Sequence, residues 1–178
     1  MTAHHHAPGH GPTGPDRQHH GTADVPDDRT AHTADELLME ARASLPRRLS
    51  PAEALAAQAM GALLIDIRGD DQRRACGLIP RALLLPRNAL EWRCDPTGQW
   101  RHPALTSRAQ HLILICQEGY QSSLAAATLQ RLGLVNATDM DGGFAAWAAA
   151  GLPVIAQPTT SQDRPVTVTL EDHHAEPG

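Results

Sequence analysis

The chain has 178 residues, with 20 acidic and 15 basic side chains and a formal net charge of −5. This length predicts one domain with two tails that can be trimmed from it, and the basic residues form no stripe, so no nucleic-acid partner is expected. Aromatic residues make up only 3% of the chain, so alanine, leucine and isoleucine must form most of the core.

The cysteines and the apolar runs indicate the cellular compartment. Cys76, Cys94 and Cys116 are too few and too irregularly spaced for a disulfide framework or a zinc site. The first thirty residues contain no apolar core of a signal peptide, and no run of eighteen apolar residues occurs. We therefore expect a cytoplasmic protein that does not associate with membranes.

Both ends of the chain have the composition of tails. Residues 1–32 are rich in His, Pro and Gly and contain too few large apolar residues to offset their ordering entropy, so we expect disorder there. Their seven histidines either bind a metal loosely or are simply solvated, and the second interpretation is favoured. Residues 157–178 are also expected to be disordered, although residues 166–170 alternate as an edge strand would.

Two helices are predicted from their first residues. Thr33 with Glu36 forms a capping-box pattern that begins one helix, which Pro46 must end. Ser50 with Glu53 repeats the pattern for a second helix, with a proline at the first helical position.

Three short apolar runs predict strands. Residues 62–67, 82–85 and 111–115 are rich in leucine and isoleucine, which is typical of parallel strands covered on both faces. Residues 70–75 are predicted to form a helical turn or a short helix between the first two strands. Strands that alternate with helices indicate an α/β fold.

Cys116 ends the third of these strands and precedes a turn. Residues 117–121 are polar and include one glycine, and Ser122 or Ser123 is the predicted N-cap of the next helix. Backbone N–H groups and a helix dipole stabilise a thiolate in such a turn. A cysteine that ends a buried strand is usually a core residue, but the carboxyl end of a strand is where α/β sheets bind ligands, which favours a reactive thiol.

These segments together resemble the rhodanese-like sulfurtransferase family. The resemblance covers about residues 48–155 and includes LLIDIRGDDQRRACGLIPRALLLP, LILIC with its loop and helix, and VNATDMDGGFAAWAAAGLPV. It implies a domain over residues 33–156 with an added N-terminal helix, and a parallel sheet of about five strands flanked by helices on both faces. It also implies an architectural role for Asp66 and Arg68. Two positions depart from the family pattern, since Leu78 replaces a usual His and Arg81 a usual Gly.

The resemblance implies catalysis through Cys116. Its thiolate would accept a sulfane sulfur from a small anionic thiosulfate-like donor or a persulfide, including a protein persulfide, and pass it to a thiol or cyanide-like acceptor, with no metal or organic cofactor. The expected substrate-binding residues are Gln117, Glu118, Gly119, Tyr120, Gln121, Ser122, Arg87 and Arg93. Because Glu118 stands in a loop that often carries Arg or Lys, we expect poor use of thiosulfate unless Arg87 or Arg93 compensates, and better use of persulfides.

Three alternatives are weighed against this hypothesis. Phosphatases of the cell-cycle type share the fold, but they need Arg at the sixth residue after the cysteine, where this chain has Ser122. A non-catalytic or partner-dependent sulfur shuttle, sensor or binding module stays open. Cys76 and Cys94 could be resolving thiols for Cys116, but each is expected to be inert.

Overall fold

The computed structural model describes residues 32–157. The strands are β1 (Leu63–Asp66), β2 (Leu83–Leu84), β3 (Leu112–Ile115) and β4 (Ala137–Asp139). The helices are α1 (Ala34–Ser44), α2 (Pro51–Ala59), α3 (Asp70–Cys76), α4 (Leu90–Cys94), α5 (Gln121–Arg131) and α6 (Gly143–Ala149), with a 3-10 turn at Arg87–Ala89. The predicted tails, including residues 166–170, lie outside the described residues, apart from His32 and Gln157 at their inner ends.

The first two helices begin as predicted. The Thr33 side chain accepts a hydrogen bond from the N–H of Glu36 at 3.2 Å, and the Glu36 carboxylate accepts from the N–H of Thr33 at 2.7 Å. Ser50 and Glu53 make the same reciprocal pair at 3.4 and 2.9 Å. Each box satisfies backbone donors that the first helical turn leaves without an intrahelical partner.

The sheet is parallel, in the order β2-β1-β3-β4. Within residues 32–157 it has four strands, not the five that were expected. One more segment approaches β4, but it makes only a single parallel bridge between Leu49 and Met140. The α/β class and the parallel sheet are confirmed.

The sheet is covered on both faces, as its apolar strands predict. Leu112 and Leu114 of β3 pack toward the cluster that includes Leu129 of α5, whereas Ile113 and Ile115 belong to the opposite cluster, with Trp147 of α6. Successive residues of a strand point to opposite faces, so every position of β3 is buried. Because β1 and β3 are paired in parallel, with Asp66 opposite Ile115, their carboxyl ends lie side by side at one edge of the sheet.

The turn after α3 accommodates both departures from the family pattern. Leu78 is buried and makes an antiparallel bridge with Ile155. Arg81 has φ of 63°, and it is the only described non-glycine residue with a positive φ. Glycine adopts this conformation freely, whereas a side chain there costs about 1–2 kcal/mol. In the described part of the chain, no helix is long and apolar enough to cross a membrane.

Candidate active site

Cys116 lies directly after β3, in the loop that leads into α5. Its side chain is buried, and the residue is only 5% exposed. The N–H of Gly119 donates a hydrogen bond to Sγ at 3.1 Å, and Sγ donates to the Ser122 hydroxyl at 3.4 Å. Gly119 adopts φ of +80°, which lets the loop curl around the sulfur.

The predicted N-cap of α5 is wrong. The helix begins at Gln121, and its N-cap residue is Tyr120, which makes no side-chain cap. Ser122 and Ser123 lie inside the first turn, fully buried, and donate hydrogen bonds to Asp139 Oδ2 at 3.0 and 2.8 Å. The hydroxyls face a buried carboxylate, so they are not available to cap the helix.

Asp139, at the end of β4, is the main residue that the sequence analysis missed. It is fully buried, and Arg48 donates to both of its oxygens, from Nε at 2.7 Å and from Nη2 at 3.0 Å. Arg48 also pairs with Asp141 at 2.6 Å, and the hydrogen bond to Asp139 raises the pKa of its guanidinium. A buried carboxylate requires such partners. The short segment Ala137–Asp139 has no strong strand pattern, so the sequence offered little signal for this residue.

The start of α6 supports the cysteine loop from below. The N–H of Phe144 donates to the Cys116 carbonyl at 2.8 Å, and the N–H of Ala145 donates to the Gln117 carbonyl at 2.9 Å. A Cβ atom at Gly143 would lie only 2.5 Å from the Cys116 carbonyl oxygen. The two backbones therefore touch directly, and only glycine fits between them.

A cavity of about 290 Å³ opens beside the thiol. It is lined by Gln72, Cys116, Gln117, Glu118, Tyr120 and Gln121. The structure thus brings Cys116 together with four of the predicted loop residues, and the other two, Gly119 and Ser122, contact the sulfur. Glu118 is the only charged side chain in this lining, so the cavity has no cation of its own to attract a dianion.

The two predicted arginines lie elsewhere. Arg87 lines a neighbouring cavity of about 360 Å³ together with Gln72 and Gln121, and its guanidinium pairs with Glu91 at 2.8 Å. Arg93 donates to the carbonyl of Trp100 at 2.9 Å and lines neither cavity.

Asp66 and Arg68 form a buried ion pair at 2.7 Å beside the site. Arg68 also donates to the Gly77 carbonyl at 2.8 Å, and its guanidinium lies over the Phe144 ring at 3.7 Å from the centroid. The pair ties the end of β1 to the turn after α3 and to α6. Arg68 also reaches the Gln117 side chain of the cysteine loop at 3.5 Å.

The remaining cysteines differ from Cys116 in their surroundings. Cys94 is fully buried, and burial raises the pKa of its thiol to about 12. Cys76 is exposed at the end of α3. Neither lines the cavity beside Cys116. Across residues 32–157, no three His, Cys, Asp or Glu side chains are grouped to hold a metal ion.

Comparisons with known proteins agree with this architecture. A sulfurtransferase of Allochromatium vinosum is 32% identical over 113 residues, which cover 64% of this chain and 90% of that protein. The thiosulfate sulfurtransferase GlpE of Pseudomonas entomophila is 35% identical over 101 residues, 57% of this chain and 84% of that protein. A solved structure from Rhodopseudomonas palustris, of unknown function and described as a possible tyrosine phosphatase, has a TM-score of 0.64 at 30% identity. That match covers 74% of this chain and 99% of its own.

The rhodanese-like domain model matches residues 50–150, which is more than half of the chain. The matched region contains the whole sheet, the cysteine loop and α6. With its cysteine at the carboxyl edge of a parallel sheet, the chain belongs to the rhodanese-like domain family.

Proposed function

We propose that this protein is a sulfurtransferase that carries a sulfane sulfur atom on Cys116. The position of Sγ carries the proposal, because the sulfur follows the central strand, lines an open cavity and accepts a hydrogen bond from Gly119 at 3.1 Å. Backbone N–H groups in such a loop stabilise both a thiolate and the negative charge of a persulfide. The relatives named as sulfurtransferases support the same class of reaction.

The reaction has two displacements at sulfur. The Cys116 thiolate attacks the outer sulfur of the donor, the sulfur–sulfur bond of the donor breaks, and its electron pair leaves with sulfite or a thiolate. A cyanide-like acceptor or a thiolate then attacks the outer sulfur of the Cys116 persulfide. The bond between Sγ and the outer sulfur breaks, and its electron pair returns to Sγ. The enzyme is thereby regenerated without an external oxidant or reductant.

Ser122 supplies a hydrogen bond that responds to the charge on the sulfur. Its hydroxyl has one proton, which Asp139 accepts at 3.0 Å while the Cys116 thiol donates to the oxygen lone pairs. Asp139 Oδ2 also accepts from Ser123 and from Arg48. The Ser122 proton can therefore turn to a charged sulfur without leaving the buried carboxylate unpaired.

The cavity favours donors that are less charged than thiosulfate. Glu118 is the charged residue of its lining, which contains no basic side chain, and the charge of Arg87 in the neighbouring cavity is paired with Glu91. Thiosulfate would bring two negative charges toward this carboxylate. We therefore assign small-molecule or protein persulfides as preferred donors and a thiol as the natural acceptor.

Two other functions can be distinguished from sulfur transfer by experiment. A phosphatase reaction, which the description of the Rhodopseudomonas neighbour suggests for that protein, lacks the loop guanidinium because Ser122 stands in its place. We expect no turnover of an aryl phosphate. A partner-dependent shuttle, sensor or binding module would keep a reactive thiol but show no sulfur loading from free donors.

Intact-mass spectrometry under non-reducing conditions tests the proposal. The protein and Cys116→Ser are each exposed to thiosulfate and, separately, to a low-molecular-weight persulfide. We expect a gain of one sulfur atom, about 32 Da, on the native protein alone and faster loading from the persulfide. If neither donor adds sulfur while Cys116 still alkylates readily, the shuttle or binding module becomes the better account.

A further inference from the structure

Two arginines that precede the family-matched region reach the cysteine loop. Arg42 Nη2 donates to the Gly119 carbonyl at 3.0 Å, and Arg48 Nη2 donates to the same oxygen at 3.1 Å. The family model begins only at residue 50. We propose that Arg42 and Arg48 form an arginine clamp that holds Gly119 with its N–H directed at the Cys116 sulfur. On this inference, which rests on the proposed function, the active site includes Arg42 and Arg48 from the segment before the family-matched region.

The backbone orientation of Gly119 depends on contacts with other residues. Gly119 has no side chain to anchor it and adopts φ of +80°, and glycine has the widest conformational freedom of all residues. Its N–H contacts the sulfur at 3.1 Å, while its carbonyl accepts from the clamp. Fixing the carbonyl restricts rotation about both backbone bonds of Gly119. Ser123 Oγ also lies 3.1 Å from this carbonyl and can donate to it, so the clamp supplies two of its three donors and helps to keep the N–H aimed at Sγ.

The clamp is itself held in place. Asp139 and Asp141 bind the guanidinium of Arg48. Arg42 extends from α1, lies over the Tyr120 ring at 5.6 Å from the centroid and also donates to Ser123 at 3.4 Å. Both carboxylates bind Arg48, whereas Arg42 contacts the Gly119 carbonyl, the Ser123 hydroxyl and the Tyr120 ring. We assign both arginines as positioning residues that act on the sulfur through the Gly119 carbonyl.

Apart from Arg42 itself, the charged groups that surround the thiol are common to every variant in the test. Those with a titratable or permanent charge are Glu118 and Tyr120 in the loop, Arg68 after β1, Asp139 of β4, Arg42 of α1 and Arg48. A substitution at Arg42 leaves Asp139 paired with Arg48, so no buried carboxylate loses its partner. Arg42 is therefore the better site for the substitution.

Arg47 provides a matched control. It has the same charge and is next to Arg48 in sequence, but its side chain is 73% exposed and pairs with Glu53 away from the loop. Arg47→Ala changes the net charge as Arg42→Ala does. It removes no hydrogen bond to Gly119.

The test is the alkylation rate of Cys116, measured by peptide mass at about pH 7 and about pH 10. At the higher pH nearly all free thiol is ionised, so the ratio of the two rates reports thiolate stability and cancels changes in access. We expect Arg42→Ala to lower this ratio about three- to tenfold, and Arg47→Ala to leave it unchanged. Arg42→Lys keeps one donor and should restore most of the ratio.

Arg42→Met keeps the apolar stem over Tyr120 without the donors, and it gives the same test if Arg42→Ala does not fold. Equal ratios for the Arg42 variants and Arg47→Ala would overturn the clamp. Alkylation needs no sulfur donor, so its outcome is independent of the proposed reaction. If the native protein forms the persulfide but the Arg42 variants keep the native rate ratio, the clamp alone fails. If the Arg42 variants lower the rate ratio but the native protein forms no persulfide, the proposed function alone fails.

Discussion

Substitution of Gly143 by alanine tests how closely α6 supports the cysteine loop. An added Cβ would lie 2.5 Å from the Cys116 carbonyl oxygen, 2.7 Å from the Gly119 nitrogen and 2.8 Å from the Glu118 nitrogen. Ordinary contact begins at 3.4 Å, so the nearest backbone atom must move by about 0.9 Å. All three contacts are backbone atoms of the loop, which cannot rotate away as a flexible side chain would.

The cost has two parts. Gly143 has φ of +59°, and a side chain in this region costs about 1–2 kcal/mol. Forcing extra volume into a packed site costs about 1–3 kcal/mol more. We therefore expect Gly143→Ala to lower the free energy of unfolding by about 2–5 kcal/mol. A loop displacement approaching 1 Å should also slow sulfur loading of Cys116 by about 10- to 100-fold.

Substitution of Gly151 by alanine separates the conformational cost from the packing cost. The φ of Gly151, +66°, is nearly the same as that of Gly143, but a Cβ there would meet nothing within 4 Å. Gly151→Ala should therefore lose only the conformational part, about 1–2 kcal/mol, and should load sulfur at the native rate. Urea unfolding and the time course of the mass gain measure both quantities. If the two variants lose equal stability and load sulfur equally fast, Gly143 does not support the loop as described.

Two further predictions concern Cys94 and the second capping box. Because burial raises the pKa of Cys94 to about 12, we expect iodoacetamide to label Cys76 but not Cys94 in the native protein at neutral pH. Rapid labelling of Cys94 in the native protein would contradict its burial. Hydrogen bonds from the backbone and hydroxyl of Ser50 lower the pKa of Glu53 from 4.5 to about 2. The ionised Glu53 therefore stabilises the folded state at pH values above 4.5, and this stabilisation is lost as the pH falls from 4.5 toward 2. Ser50→Ala should therefore reduce the drop in urea midpoint between about pH 7 and about pH 3, and an unchanged drop would argue against the role of the hydroxyl.

Local patterns in the sequence were enough for much of the fold. Thr33 and Ser50 each begin a helix because their partner glutamates stand three residues ahead, inside the same turn. The apolar run before Cys116 is typical of a strand covered on both faces, and the glycine-containing loop after it is typical of a turn. These features place the thiol at the edge of the sheet without any knowledge of distant residues.

Other expectations failed where distant residues compete. Ser122 and Ser123 have the composition of an N-cap, but Asp139 captures their hydroxyls from another strand. Arg93 is an exception to this cause: it lines neither cavity, and its guanidinium donates to the carbonyl of Trp100, only seven residues away. A fifth strand is reduced to one bridge at Leu49 within the described residues.

The sequence by itself determined the class of fold, the position of Cys116 at the end of a strand and the turn around it, because capping, strand and turn preferences depend on residues only a few positions apart. Only the tertiary structure decided what holds that turn. Arg48 and Asp139 are 91 positions apart, and Arg42 and Gly119 are 77 apart. Neither pair has a local signature, since their attraction exists only after the sheet and α1 have brought them together. Packing thus assigns to Gly119 and Ser122 partners that no reading along the chain could identify.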